Sequence, residues 1–478
     1  MNSKGKHLHF FAIFNEALST LWSILVPLMF GFIWGVRHLD TIFGYIIIIP
    51  LIILIFNFFK WLRFTYEFVD DQFHIRSGVL VRNDRYIRIQ RIQSVQIKTN
   101  LLMRPLGIVQ LKFDTADPAV KGDMILSALK RTEAEKIKAQ ISRGKTEQAE
   151  QVHSEEIVSV SPNIDESPLH VYTLSGKRLV AASLLYSKIG VMLAAVFGLW
   201  SQADDLIPDR IRGRSLSYIE HVSLVGIIII IGFAILLLWL FSLITTLFKW
   251  GGFKLSIYHD EWRIHRGILE TRDETYKIDR VQAIRIKEQW LQQLFGWCTL
   301  YAECSGSIDS EKGDGGSVLI FPLIRKTDLP IFLENVMPKF SGPITINQLP
   351  IRGALYRMII PIAFWFSLSS ILAWWLPWGK YTFLALPLIL VYCWIRLRSE
   401  GYALNEDRLI FVNRLFAKTT TITRKNNIQS FAKKNSRTQR RLNLASCSAT
   451  VRASSAETYT MRQLDERDAH KLFHWFRN

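Results

Sequence analysis

The sequence predicts a membrane protein with six transmembrane α-helices in three hairpins, each followed by a cytoplasmic β-rich domain that ends in a helix. Three observations support this fold class. Apolar residues, which make up 49% of the 478-residue chain, gather in six long stretches. Lysine and arginine lie mainly on the outer sides of successive pairs of these stretches, and the polar segments that follow the pairs repeat one another.

The apolar stretches form three closely spaced pairs. A helix of ~18 or more apolar residues is long enough to cross the ~30 Å hydrocarbon core of a bilayer. Three such pairs buried in one water-soluble protein would be exceptional, so membrane spans are the better interpretation. Lys188 interrupts the third stretch, where it either extends toward the headgroups or faces the helix bundle. The six stretches are Leu21–Val36, Ile42–Phe59, Leu179–Trp200, Val222–Phe248, Met358–Trp378 and Tyr381–Ile395.

The basic flanks predict which side of the membrane holds the polar domains. Lys60 and Arg63 follow the first pair of spans, and Arg396 and Arg398 follow the third. Because basic flanks stay in the cytoplasm, we expect both termini and all three β-rich domains there, beneath the cell membrane. The connection 201–221, which carries three arginines, disagrees with this orientation. No small-residue cleavage site follows the first apolar stretch, so we interpret it as a retained anchor.

The β-rich domains are three copies of one sequence. When Val79, Ile268 and Leu415 are superposed, almost thirty positions align without a gap, and such a period indicates repeated modules. In this alignment the segment Arg91–Val95 corresponds to Arg280–Ile284 and, in the third copy, to residues 427–431. We interpret the shared Ile-Gln-Ser pattern as a packing and turn element.

One aligned glycine predicts a turn. Gly78 and Gly267 occupy the same position, which suggests a backbone with positive φ, a conformation that glycine adopts without steric cost. Arg414 replaces this glycine in the third copy, which therefore predicts a turn of a different kind.

Periodicity predicts the secondary structure of each copy. Apolar and polar residues alternate over residues 85–97, which is typical of half-buried strands. Helical patterns then close the copies at Glu133–Ile141, Leu329–Val336 and Glu466–Phe476, where a helix would cover the open end of a bent sheet. A polar stretch with many Glu, Gln, Ser and Pro residues predicts a disordered linker after the first copy. The predicted segments are hairpins 1–62, 177–250 and 341–397, domains 63–142, 251–340 and 398–478, and the linker 143–176.

Three segments of the first copy resemble the bacterial pleckstrin-homology-like (PH-like) domain: Arg76–Leu80, Arg91–Val95 and Leu102–Gly107. The resemblance extends over nearly the whole chain, and it is most specific in the first copy and weakest in the third. It implies two packed sheets and a C-terminal helix in each β-rich domain. It also implies a partner, a small membrane protein with a single repeat, of the YdbS type. The family has no established catalytic residues, so the resemblance implies none here.

We predict no catalytic, cofactor or metal site. The segment Gly144–Thr146 ends like a phosphate-binding loop, but Ala139 stands where the first glycine belongs. His470 and His474 share one face of a helix without further ligands, which is typical of a surface helix. The cysteines are too few for a disulfide framework or a zinc site, and we expect them to be reduced. They are Cys298, Cys304, Cys393 and Cys447.

Positive charge is concentrated in the third copy. The chain has a net charge of +18, and residues 396–478, with 17 basic and 7 acidic residues, account for +10 of it. Residues 60–150 carry +6, and residues 249–341 are neutral. The densest basic cluster is Lys433, Lys434, Arg437, Arg440 and Arg441.

This cluster predicts contact with anionic lipid. Near an anionic bilayer each basic residue gains ~1 kcal/mol, although plain solvated charge is the alternative. Nucleic acid is not expected, because the interleaved aromatic residues that bind single strands are missing. Arg85, Arg88 and Arg91 form a second basic stripe, either a headgroup-facing surface or the solvated face of a strand.

These features predict a non-enzymatic membrane scaffold. Its PH-like domains would bind one another, the small partner and anionic lipid. The expected processes are envelope stress and tolerance of antimicrobial peptides. The alternative is a transporter or lipid-handling carrier that the PH-like domains regulate, with Lys188 as a substrate-binding group.

Overall fold

A computed structural model describes most of the polar domains and four long apolar helices. Internal contacts divide the chain into two compact units: residues 1–167, 172–254 and 263–275, and residues 168–171, 255–262 and 276–478. The described residues are 6–14, 16–18, 20, 39–69, 72–79, 81–89, 92–115, 124–151, 167–185, 224–305, 317–375, 379–453 and 456–477.

The same order of elements occurs three times, and we call each occurrence a module. A module comprises a short strand, the described helices of a hairpin, six longer strands and a closing helix. The first module contains β1 (Lys6–His7), α1 (Leu39–Arg63), β2 (Thr65–Val69), β3 (Gln72–Ser77), β4 (Asn83–Arg88), β5 (Ile92–Thr99), β6 (Ile108–Thr115), β7 (Met124–Lys130) and α2 (Arg131–Gln151).

The second and third modules repeat this order and add a short helix after their fifth strand. The second contains β8 (His170–Thr173), α3 (Gly176–Leu185), α4 (Leu224–Trp250), β9 (Lys254–Ile257), β10 (Glu261–Arg266), β11 (Thr271–Lys277), β12 (Val281–Glu288), α5 (Trp290–Leu294), β13 (Trp297–Cys304), β14 (Val318–Arg325) and α6 (Leu329–Val336). The third contains β15 (Asn347–Gln348), α7 (Ile351–Trp375), α8 (Ala385–Ser399), β16 (Gly401–Leu404), β17 (Arg408–Arg414), β18 (Lys418–Arg424), β19 (Ile428–Lys434), α9 (Arg437–Arg441), β20 (Leu444–Arg452), β21 (Ala456–Asp465) and α10 (Glu466–Arg477).

The described residues contain three helices that are long and apolar enough to cross a membrane, not the six that we predicted. They are Gly232–Trp250, Ile351–Trp375 and Gly379–Ser399, the last of which starts as a 3₁₀ turn. They correspond to the last three predicted spans, and α1 covers the second, Ile42–Phe59. The first predicted span, Leu21–Val36, lies outside the described residues, as do residues 186–200 of the third, including Lys188.

Each hairpin is inserted between two neighbouring strands of a sheet. Lys6 of β1 pairs with Tyr66 of β2, and Asn347 of β15 pairs with Tyr402 of β16, both in antiparallel register. In the second module β8 neighbours β9 in the same way. The chain therefore leaves each sheet, passes through the hairpin and returns to the adjacent strand.

The predicted linker 143–176 is wrong at both ends. Helix α2 continues to Gln151, because the Glu, Ala and Gln residues that suggested a solvated linker are also good helix formers. At the other end His170–Thr173 forms β8 and belongs to the second module. Residues 152–166 lie outside the described part of the chain.

Two sheets and the closing helix enclose the core of the first and third β-rich domains, as the resemblance implied. In the first module Phe73 from one sheet and Leu111 from the other are almost fully buried, and Ile141 of α2 packs into the same cluster. In the third module Phe411 and Leu472 occupy comparable places. The sheet orders are β1-β2-β3-β4, β7-β6-β5-β11-β10-β9-β8, β14-β13-β12-β18-β17-β16-β15 and β19-β20-β21.

The predicted glycine turn is confirmed in both copies that contain it. Gly78 has φ +114° and Gly267 has φ +102°, and a Cβ on either would lie 1.9 Å from a backbone oxygen of the turn. The third copy turns differently, as predicted: Arg414 ends β17, and Leu415 N donates a hydrogen bond to Ala417 O (3.2 Å).

The Ile-Gln-Ser pattern corresponds to a β-bulge. The register shifts between Ile92 and Ser94, and the shift recurs at the aligned positions of β12 and β19. A bulge bends a strand and increases its twist, so the pattern has a structural role, as predicted.

Candidate functional site

Successive modules join through their strand edges, and we call these junctions seams. In the first unit β5 pairs with β11, with Thr99 opposite Thr271. In the second unit β12 pairs with β18, with Glu288 opposite Lys418. These residues occupy equivalent positions in the repeat alignment, so both seams use the same strands in the same register.

Polar side chains reinforce the first seam. Lys98 Nζ lies 2.9 Å from Glu270 Oε1, and Arg104 Nη1 donates a hydrogen bond to the backbone oxygen of Ile268 (3.0 Å). Burial alone would raise the pKa of Glu270. Hydrogen bonding and charge from Lys98 and Arg272 outweigh that effect and hold the pKa below its ordinary value. The carboxylate is therefore stabilised in its ionised form at the seam.

The second seam depends on side chains that bind backbone oxygens. Asn427 Nδ2 donates to the oxygens of Val281 (3.2 Å) and Gln282 (3.0 Å), and Thr423 Oγ1 also donates to Gln282 O (3.2 Å). Asn427 stands where the first two copies have arginine. Arg414, at the turn position, donates to Gln293. Side chains thus add to the backbone ladder at both seams.

A buried carboxylate lies behind the second seam. Glu303 of β13 accepts a hydrogen bond from Arg285 of the seam strand β12. Burial raises the pKa of Glu303 to about 7, although Arg285 opposes the shift.

One turn of each module lies against a long apolar helix of its hairpin. In the second module Ile268 N donates to Phe248 O of α4 (2.9 Å). In the first, Arg63 at the end of α1 donates to Val79 O (2.9 Å). In the third, Tyr392 Oη of α8 donates to Leu415 O (2.8 Å). We call these the membrane-side turns. Their described residues are 78–79 with 81–82, 267–270 and 415–417.

A second loop lies beside these turns, between the first two strands of the other sheet. We call these loops the short-helix turns: residues 100–107, 289–296 and 436–443. Arg104 of the first binds Ile268 in the next membrane-side turn, and Gln293 of the second binds Arg414 next to the following one. The short-helix turns of the first two modules therefore also lie near the ends of spans.

Apolar side chains are exposed in both kinds of turn. Phe416, in the third membrane-side turn, is 76% exposed, and Val81 in the first is 72% exposed. The short-helix turns of the first two modules expose Leu101, Leu102, Leu106, Trp290, Leu294 and Phe295. Exposed tryptophan beside a membrane span is typical of residues that enter the interfacial region of a bilayer.

The third short-helix turn is basic instead. Arg437 and Arg441 replace Trp290 and Leu294 at aligned positions, and helix α9 places them with Arg440 on the surface. A capping box between Ser436 and Gln439 fixes the start of α9.

The structure thus brings four members of the predicted basic cluster together on an exposed surface: Lys434, Arg437, Arg440 and Arg441. Lys433 differs, because it is half-buried and lies 3.5 Å from Glu466.

Two carboxylates that the sequence analysis missed fix hairpins to their domains. Glu400, 3% exposed, binds Arg357 of α7 and Arg396 of α8 (2.9 Å) and accepts a hydrogen bond from Arg414 N (3.1 Å). Glu16 binds Lys60 (2.6 Å) and Ser127 Oγ of β7 (2.9 Å). Both residues could have been identified from the sequence, because each is an acidic residue near an apolar stretch whose other charged neighbours are mostly basic.

The other candidate residues form no site in the described part of the chain. Residues 144–146 lie within helix α2, so they form no phosphate-binding loop. His470 and His474 are exposed on α10, and the described residues contain no group of three or more metal-ligating side chains. Arg85 and Arg88 are exposed on β4, whereas Arg91 lies outside the description.

The four cysteines form no disulfide with one another in the structure. All four are free and buried, and burial raises the pKa of the Cys298, Cys304 and Cys447 thiols to about 12. Such thiols remain protonated and unreactive at neutral pH.

Comparison with known proteins recognises the same repeated unit. The family described as Bacterial PH domain matches residues 21–145, 215–328 and 350–478, once in each module. The transmembrane protein YdbT of Bacillus subtilis (strain 168) is 30% identical over 495 aligned residues, which cover 100% of this chain and 99% of that protein. Each matched range includes an apolar span and the strands that follow it.

Proposed function

This chain belongs to the bacterial PH domain family, and from that premise we propose that it is a non-enzymatic scaffold that crosses the cell membrane several times. Its three PH-like domains hold membrane proteins together and contact anionic lipid. The observation that carries the proposal is the pair of seams: the same strand edges join successive modules twice in one register. A PH-like domain that binds another PH-like domain through its strand edge is suited to the assembly of proteins that contain this domain.

We propose that both termini and all three domains lie in the cytoplasm, with six spans in three hairpins. The inserted hairpins support this topology. Because β1 pairs with β2 and β15 with β16, the chain between each pair must start and end on the same side of the membrane. It must therefore cross an even number of times.

We also propose that the third module binds anionic lipid through Lys434, Arg437, Arg440 and Arg441. These side chains are exposed, and in the described residues no carboxylate lies within 4.0 Å of their charged groups. The corresponding turns of the other modules lie near span ends. A position at the headgroup level would give each basic residue ~1 kcal/mol.

The assembly partner that we propose is a small membrane protein with a single PH-like repeat, of the YdbS type. Envelope stress and tolerance of antimicrobial peptides are the processes in which we would first examine such a complex. Affinity purification of the full-length protein from its native membrane, with identification of co-purifying proteins, tests the scaffold. Purification of the chain alone at normal yield, with no second membrane protein, would contradict it.

Lipid contact is tested in nanodiscs. A fluorophore attached to Thr438→Cys on α9 should be quenched by headgroup-labelled lipid when about a third of the lipid is anionic, and quenching should weaken as salt is added. The Arg437→Gln/Arg441→Gln double variant should lose this quenching. Arg452→Gln, an exposed arginine of β20, is the matched control. Equal quenching in zwitterionic and anionic discs would refute the lipid site.

A further inference from the structure

Two strand edges in the described chain lack the partner that their counterparts have. β11 and β18 each pair with the preceding module, but their counterpart β4 in the first module pairs with β3 alone. Likewise β5 and β12 pair with the following module, whereas their counterpart β19 pairs with β20 alone. The first module thus presents one half of a seam and the third module presents the other half.

We infer that β19 of one copy pairs with β4 of a second copy, which forms a third seam between chains. This inference extends the proposed scaffold, because it makes the scaffold assemble with itself. Such an interface is heterologous, with different surfaces on the two sides, so repetition of it gives either a ring or an open row of molecules.

The register of the internal seams specifies which residues would meet. Phe431 would lie opposite Tyr86, by analogy with Ile284 opposite Ile422. Lys433 would lie opposite Asp84, by analogy with Ile97 opposite Asp273.

These two pairs are complementary. Lys433 and Asp84 carry opposite charges. The Tyr86 ring is 64% exposed and stacks on His74, with 3.9 Å between ring centroids. Phe431 is 9% exposed and stacks on Phe476, so in this register Tyr86 would extend the aromatic cluster of the third module. Cross-strand aromatic pairs and opposite-charge pairs each favour strand pairing.

Arg440 in the third module corresponds to an arginine that bridges the first seam. It occupies the position of Arg104, which donates a hydrogen bond to Ile268 O across the first seam (3.0 Å). The counterpart of Ile268 in the first module is Val79. At the third seam Arg440 would therefore donate to Val79 O of the second copy, which leaves Arg437 and Arg441 for contact with lipid. That oxygen already accepts one hydrogen bond, from Arg63, and a carbonyl oxygen has two lone pairs.

The membrane allows this arrangement. At the first seam Arg104 reaches a turn that also binds the last turn of α4, so the seam lies beside the ends of spans. A third seam of the same geometry keeps the hairpins of both copies in one bilayer. The net charges of +6 and +10 on the joining modules oppose association at long range, but physiological salt screens charges more than ~8 Å apart.

Disulfide crosslinking of the full-length protein in detergent tests the seam. Two differently tagged copies are co-expressed, one with Asn83→Cys and the other with Lys434→Cys, the positions that the shared register places opposite each other. The matched positive control is Lys98→Cys with Arg272→Cys in one chain, because these residues are opposite each other in the first seam. The off-register control replaces Asn83→Cys by Asp84→Cys, whose side chain points to the other face of the strand. The native cysteines are buried.

We expect the mixed-tag disulfide to form in a yield comparable with the internal control and several-fold above the off-register control. Association measured in the same detergent should weaken by about tenfold in Arg440→Gln, the value of one hydrogen bond from a charged donor, and should be unchanged in Arg452→Gln.

The third seam would be overturned if the mixed-tag disulfide formed in no higher yield than in the off-register control while the internal control formed normally. Crosslinking of either edge to a smaller protein in place of the second copy would also overturn it. That second result would leave the scaffold itself intact, because the edges would then hold a single-module partner.

Discussion

Replacement of Gly267 by asparagine tests whether the membrane-side turns have the geometry described. In the second module Gly267 has φ +102° and Gly296 has φ +68°. A Cβ on Gly267 would lie 1.9 Å from Glu270 O, whereas a Cβ on Gly296 would meet nothing within 4 Å. The third module already has Asn443, with φ +52°, at the position of Gly296.

The two substitutions should lower the stability by different amounts, because the two glycines differ in the room for a Cβ atom and in φ. Gly296→Asn should cost about 1 kcal/mol, since asparagine tolerates the left-handed region. Gly267→Asn must open the turn against a backbone atom and lose the hydrogen bond from Ile268 to Phe248, so about 4 kcal/mol or more is expected. At roughly 2–4 °C per kcal/mol for a domain of this size, the Tm should fall by about 2–4 °C and by about 8–16 °C, respectively.

The measurement is the fraction of full-length protein that remains monodisperse in detergent after heating. The Gly78→Asn variant should behave like Gly267→Asn, because its Cβ would meet Val81 O at the same distance. If Gly267→Asn and Gly296→Asn lower the Tm equally, residue 267 does not lie as close to Glu270 O as described, and the prediction is refuted.

Three further changes have defined outcomes in the same assay. Glu400→Gln should cost about 3–5 kcal/mol because it leaves the half-buried Arg357 unpaired, whereas Glu406→Gln, at an exposed site, should have no effect. The lowered pKa of Glu270 means that its contribution to stability is present above the unfolded pKa of ~4.3 and disappears as the pH falls through the lower folded value. Glu270→Gln should remove that acid dependence; an unchanged profile would contradict the ion pair. The raised pKa of Glu303 has the opposite sign: its contribution is full below the unfolded pKa of ~4.3 and is lost as the pH rises through the folded value of about 7. Glu303→Gln should remove this pH dependence of the Tm between about pH 4 and 8, whatever constant cost comes from unpairing Arg285. An unchanged pH profile of the variant would contradict the assignment.

Local features of the modules could be predicted from the sequence. Period-two alternation identified strands, and aligned glycines identified turns at Gly78 and Gly267 because these conformations depend on neighbouring residues alone. The closing helix Leu329–Val336 was predicted with the bounds that the structure shows. The proximity of the five basic residues could also be predicted, since all of them lie in the adjacent elements β19 and α9.

The seams could not be predicted in this way. Periodicity tells which face of a strand is buried, but it does not tell which edge meets another strand. The contact between Arg104 and Ile268 joins residues 164 positions apart, and no local pattern marks it. The short strands β1 and β15 have two residues each, too few to show alternation. Glu400 was missed because its partners come from two spans and a turn.

The insertion of each hairpin between paired strands has a consequence for biosynthesis. β1 leaves the ribosome first, and its partner β2 follows only after the whole intervening chain has been made. If a span stalls or inserts backwards, the two strands are left on opposite sides of the membrane and the sheet cannot close. Closure of each sheet therefore depends on correct insertion of its own hairpin. Quality-control proteases could recognise a wrongly inserted chain by its open strand edge.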